Sequence, residues 1–177
     1  MPFDPAHVAA LLDAADAAPN HQAQGALYEE ACDYIFSEIP GCLVERNVTN
    51  IFQTQQIDLA VGCLPVPGGL GLFPTVFLVE CKDWDKPVDS ATLGYFISIL
   101  HGRAIRLGVL IAANGITGSA EDMRNAHALG FQHGSVGLNV LVLTAAELRA
   151  VTTIEAFVDL LHRRFVRAAA SGGIGVP

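Results

Sequence analysis

Lysine is nearly absent from this chain, with only Lys82 and Lys86 among 177 residues, and Lys and Arg together number ten against 18 Asp and Glu. A net charge of -8 argues against strong, sequence-blind binding to DNA by a monomer, which takes many cationic phosphate contacts. Uninterrupted apolar runs of the roughly 18 residues that a membrane span needs are missing too. The opening stretch MPFDPAHVAALLDAADAAPN carries acids and no basic n-region, so the expectation is an unexported, cytoplasmic chain with no membrane partner. Cys32, Cys42, Cys63 and Cys81 form no C-x-x-C pair and have no nearby histidine at zinc-finger spacing, which points to buried free thiols. The six histidines form no ligand cluster, and His101 and His127 fall at expected helix ends as caps or surface residues. GGLGLFP is followed by no G-K-[ST], and NGITGSA lacks the strand and G-x-G-x-x-G setting of a dinucleotide fold, so a nucleotide-binding enzyme is disfavoured.

What is present is apolar. Hydrophobic residues make up 51% and charged ones 16%, with a mean hydropathy of +0.41, which excludes disorder and implies a core covered on more than one side. The length suits a single domain, expected over residues 1–170, with SGGIGVP at 171–177 as a flexible tail. Charge is uneven: residues 1–89 hold three basic and 13 acidic side chains, residues 90–177 seven basic and five acidic. An acidic half beside an arginine-bearing half suits a metal site next to a phosphate-binding flank.

Periodicity predicts a leading helix at about 5–17, begun by Asp4-Pro5, and after the breaker PNHQ a second helix from about Gln24 to Glu38. CLVERNVT and QQIDLAV alternate as strands in a meander. GCLPVPGGLGLFP holds too many prolines and glycines for a regular element and reads as a loop with mobility. TVFLVECK is a strand, SATLGYFISILHGR a helix, and the continuous apolar run LGVLIAANG a doubly covered strand. TGSAEDMRNAHALG reads as a helix capped by Ser119 and stopped by Gly130, LNVLVLT as a strand, and about 145–150 and 153–169 as the last helices. This order predicts an α/β fold, a mixed central β-sheet flanked by helices on both faces.

Alternation along TVFLVECK puts Glu80 and Lys82 on one face with Val76 and Leu78. In QQIDLAV it groups Gln56 with Asp58, opposite Ile57, Leu59 and Val61. Two neighbouring strands thereby bring Asp58, Glu80 and Lys82 together. Two carboxylates can hold one or two Mg²⁺ ions that also bind substrate phosphate, and a lysine beside them can position or deprotonate a water and offset developing charge. Trp84 follows the strand as a core cover, with base stacking as the alternative. Arg46 reads as a phosphate contact or an exposed strand residue, and Arg163, Arg164 and Arg167 in HRRFVR as a phosphate-contacting patch or a solvated helix face.

QQID followed by ECK resembles the signature of the PD-(D/E)XK nuclease superfamily, and the order of flanking features is similar to its Mrr-like restriction endonuclease group. GALYE, with Gly25, Tyr28 and Glu29, resembles that group's opening helix, and GVLIAANGITGSAEDMRNAHALG and LNVLVLTAAEL resemble its later elements. The likeness spans about Gly25 to Leu148. It departs in TQQID, where members commonly have glycines, and in ECK, where many have glutamine for glutamate. The resemblance implies a restriction-endonuclease-like fold and a Mg²⁺- or Mn²⁺-dependent endonuclease acting on DNA, of restriction or defence type. It implies Asp58 and Glu80 as metal carboxylates, the Cys81 carbonyl as a further ligand, Lys82 as the water-activating or charge-stabilising residue, and Glu29, or else Glu30, as accessory acid. Gln56 matches a polar position before the aspartate and is a candidate DNA contact. The cysteines avoid the segments where some relatives build an iron–sulfur cluster. A homodimer or a subunit of a larger assembly is expected, because cutting two strands takes two sites and the apolar content is high. The alternative is a nuclease-fold module that binds or assembles without cleaving, or that cleaves only with a partner.

Overall fold

The structure, a computed structural model, describes residues 3–50, 54–82, 86–116 and 137–176. Trp84, His127 and the helix expected at 117–130, with Ser119 and Gly130, lie outside the described residues. Helix α1 covers Pro5–Asp16, its first turn closed by the Asp4 carboxylate accepting from the Ala6 amide. Helix α2 covers His21–Ser37. It starts earlier than its apolar stripe predicts, because Asn20 in the supposed breaker is an N-cap whose side chain accepts from the Ala23 amide.

Six strands follow: β1 (Cys42–Thr49), β2 (Gln56–Cys63), β3 (Val76–Lys82), β4 (Leu107–Ala112), β5 (Asn139–Leu143) and β6 (Ile174–Gly175). They lie in one sheet in sequence order, antiparallel from β1 to β3 and parallel from β3 to β6. Helix α3 (Ser90–Gly102) joins β3 to β4, and α4 (Ala145–Arg149) and α5 (Ile154–Ser171) join β5 to β6. The mixed sheet expected from the sequence is therefore present.

Its two faces carry separate cores. Phe36 of α2 and Phe157 and Leu161 of α5 pack on Val61, Phe77, Val79 and Val109, while Leu93, Phe96 and Leu100 of α3 pack on Leu78, Leu110 and Val140. Both faces of β4 are thus covered and all six of its residues are buried, which is why it reads as an unbroken apolar run. Gly108 sets how closely α3 can approach: a Cβ there would stand 2.6 Å from the Leu100 side chain and 2.7 Å from the Phe96 ring.

The Pro/Gly-rich segment is the irregular loop that the sequence predicts, anchored with Leu70 and Phe73 buried and the Phe73 ring against Phe77 and Phe165 at 5.3 and 5.2 Å. One expectation is corrected. The glycine-rich end, expected to be a frayed tail, turns at Gly172 in the left-handed region (φ 106°) and adds β6 to the sheet edge. Ile174 is buried there, and that burial offsets the entropy which composition alone would leave uncompensated. No helix among the described residues is long and apolar enough to cross a membrane.

Candidate active site

Strands β2 and β3 are laddered from Gly62↔Val76 to Leu59↔Val79 and then separate. The cause is a bend in the β1–β2 hairpin. Asn47 adopts a positive φ of 53°, a conformation that asparagine tolerates better than most residues. Ile57 packs in the α3-side core although Leu59 and Val61, two and four residues on, pack in the other. Strict alternation would keep all three together, so the strand rotates at Asp58. Beyond the bend, Arg103 at the end of α3 donates from Nη2 to the Gln55 carbonyl at 3.0 Å and ties the hairpin down over that helix.

Separation leaves the Cys81 amide without its ladder partner on β2, and the Asp58 carboxylate takes that place. Its Oδ2 accepts from the Cys81 N–H at 2.6 Å. The N–H and C=O of one strand residue project to the same side, so the Cys81 carbonyl faces the same opening. Its thiol points the other way, to Cys32 at 3.6 Å. That hydrogen bond and burial hold the thiol well above its ordinary pKa, which leaves the main chain as the part of Cys81 with polar capacity.

Glu80 and Lys82 share the face of Leu78, as alternation predicts, and Lys82 Nζ lies 2.7 Å from Glu80 Oε1. Glu80 is only 7% exposed. Burial, then the negative charge of Asp58, raise its carboxyl above the ordinary value against the opposing pull of Lys82. Its second oxygen, Oε2, is buried without a hydrogen-bond partner, a costly state for a carboxylate. Burial pulls Lys82 down, but Glu80 and then Asp58 outweigh it and its pKa is raised. Lys82 is therefore a cation at neutral pH.

The remaining candidates divide. Glu29 is partly buried and pairs with Arg46 of β1 at 3.9 Å, and its charge reaches Cys81. Glu30 is exposed. Arg46 also pairs with Asp33 at 3.7 Å, so of its two readings the phosphate contact has two carboxylate competitors. Gln56 donates across the hairpin to Asn47 Oδ1 at 2.7 Å. Arg163 is exposed and pairs with Asp159 at 2.8 Å, and Arg167 is exposed. Arg164 does not fit the patch: it is 6% exposed, bonded to the Val142 carbonyl and paired with Glu147 at 2.5 Å. His101 is exposed in the last turn of α3, as expected.

The donor set suits a hard divalent cation. Two carboxylates and a carbonyl supply oxygen only, and Glu80 Oε2 is a buried acceptor lacking a partner. Among the described residues no group of three or more His, Cys, Asp and Glu side chains is arranged to hold a metal, but Mg²⁺ is commonly held by one or two carboxylates together with waters and substrate phosphate. Sequence reasoning missed Arg103, which lies far from the motif in the chain. It also missed a cleft of about 510 Å³ between α1, α2, α4 and the end of β4, lined by Asp16, Gln24, Tyr28, Asn114 and Arg149 among others. That cleft lies at the carboxyl end of the parallel strands, where ligands of open α/β sheets bind. Such a cleft has no local sequence signal because four separate segments meet to form it.

No curated protein matches the chain. A family model described as restriction endonuclease, of the Mrr catalytic type, matches residues 21–135, more than half of the chain and all of the Asp58, Glu80 and Lys82 constellation. The chain belongs to the Mrr-type restriction endonuclease family.

Proposed function

We propose that this protein is a Mg²⁺- or Mn²⁺-dependent endonuclease that hydrolyses DNA phosphodiester bonds in restriction or defence. The observation that carries the reading is the buried Glu80 Oε2 without a partner, at the opening where Asp58 has replaced β2 on the Cys81 amide. Asp58, Glu80 and the Cys81 carbonyl would hold the ion. When bound there, a divalent ion polarises the scissile phosphate and lowers the pKa of a bound water. Lys82, kept protonated by its carboxylate neighbours while they hold no ion, orients Glu80 and offsets charge on the phosphate in the transition state. Glu29, better placed than exposed Glu30, serves as accessory acid, and Gln56 and Arg167 are the candidate DNA contacts. Cutting both strands would use two copies or a larger assembly.

Cleavage of supercoiled plasmid and of a single-stranded oligonucleotide, with Mg²⁺, Mn²⁺ or EDTA, tests this beside Lys82→Ala. Metal-dependent nicking that the variant lacks by roughly two orders of magnitude or more is expected. Equal traces for the two proteins would refute catalysis by the chain alone.

One observation favours a partner-dependent form of the same activity. Arg46, Arg149, Arg163 and Arg164 are each ion-paired within the protein, in a chain whose net charge is -8. Much of its arginine is already engaged, and DNA affinity would then come from a second subunit or partner. A weak salt slope for DNA binding by the isolated chain would support that form.

A further inference from the structure

Cys42 and Cys63 face each other across the antiparallel β1–β2 pair, at the end of β2 far from Asp58. Neither amide is given to the other residue: the Cys42 N–H goes to Ile39 O at 3.1 Å and the Cys63 N–H to Thr75 O at 2.8 Å. They therefore form a non-hydrogen-bonded pair, the arrangement in which opposed Cα atoms come closest, about 4.5 Å. A disulfide accepts Cα separations of about 4.4 to 6.8 Å, so this one could close without moving the strands apart. Cys42 lies on the edge strand and is only partly buried, which gives the pair a route to solvent.

We propose that Cys42 and Cys63 form a thiol–disulfide exchange site that reacts with small organic disulfides of the oxidised-glutathione class. The two thiols interact across the pair; this raises Cys42 and lowers Cys63, against the opposing effect of burial there. Cys63 is thus the member of the pair whose thiolate is the more favoured. Its thiolate attacks one sulfur of the small disulfide, forming a mixed disulfide and expelling a small thiolate. Cys42 sulfur then displaces the second small thiolate, whose proton comes from the Cys42 thiol. The protein loses two electrons and the small disulfide gains them. The other close pair, Cys32 and Cys81, provides the internal comparison: both members are buried and Cys32 has no exposure.

The test treats the folded full chain with oxidised glutathione, blocks remaining thiols, and maps linkages after cleavage at glutamate under denaturing conditions. Cuts after Glu38, Glu45 and Glu80 put all four cysteines on separate peptides. The expected product is a Cys42–Cys63 linked peptide with Cys32 and Cys81 still reduced, formed together with a rise in Tm that a reducing thiol reverses. Cys42→Ser is expected to stop at a glutathione adduct on Cys63. A wild-type chain that stays fully reduced, that links Cys32 to Cys81 first, or that reacts at all four thiols alike would overturn the proposal. Because the wild-type linkage decides it, failure of a variant to fold leaves the result intact, and nuclease activity has no part in the readout.

Discussion

Glu80 is held in a conflict that a cation would relieve. Burial and Asp58 raise its pKa even with Lys82 beside it, so without metal the fold penalises the ionised form relative to the unfolded chain. Its contribution to stability is then complete below the unfolded-state pKa of about 4.3 and is lost as pH rises through the folded value. Glutamine mimics the protonated form. In EDTA at neutral pH, Glu80→Gln is expected to melt higher than wild type, and the gap should close as the solution is made mildly acidic. Added Mn²⁺ should raise the wild-type Tm and leave the variant unmoved, while the variant loses cleavage. A variant that melts lower than wild type in EDTA would show that the Lys82 pairing outweighs the burial cost. The faces of Glu80 and Lys82 were readable from the period of two along β3. The rotation at Asp58 was not, because it depends on a backbone turn at Asn47 and on an arginine 45 residues further along the chain.

At the scale of elements, the bend of the β1–β2 hairpin sets the opening. Arg103 ties Gln55 to the end of α3 and is not one of the proposed metal ligands, so the role expected of it is positioning. Arg103→Ala is expected to cost about 0.5–1.5 kcal/mol of stability, read as a shift in the urea midpoint, and also to weaken Mn²⁺ binding as β2 regains freedom to close on β3. A loss of stability with metal affinity unchanged would reduce Arg103 to a structural tie. Helix α3 has its own switch at the opposite end, where the Asp89 carboxylate accepts from the Thr92 amide at 2.8 Å. That hydrogen bond lowers the Asp89 pKa. Its stabilisation is present above the unfolded value of about 3.9 and is lost as pH falls through the folded one. Asp89→Ala should therefore cost about 1 kcal/mol at neutral pH, and less at acid pH, as judged by urea unfolding at each pH. The apolar stripe located this helix correctly, but the start of α2 was misplaced because a cap reads as a breaker when only Pro19 beside it is weighed.

Across the whole molecule, the candidate site lies where the antiparallel half meets β3, and the parallel half needs a lock of its own. The capping box of α4, between Thr144 and Glu147, also presents Glu147 to Arg164, which bonds the Val142 carbonyl of β5. Composition read Arg164 as one of three surface cations, since a helix face marked by adjacent arginines gives no sign of which one turns inward. Burial without its partner would leave Glu147 uncompensated, so Arg164→Ala is expected to cost about 3–5 kcal/mol, against about 0.5 or less for exposed Arg163→Ala. The same arginine carries β6. A Cβ on Gly175 would stand 2.7 Å from the Arg164 Cγ and 2.8 Å from its carbonyl oxygen, so the strand can seat only if residue 175 has no side chain. Gly175→Ala and a chain ending at Ser171 should then lower the urea midpoint in the same direction, the truncation more, since it also uncovers β5. If both changes leave the midpoint where it was, the end of the chain is the loose tail that its glycines imply and β6 contributes nothing to the sheet.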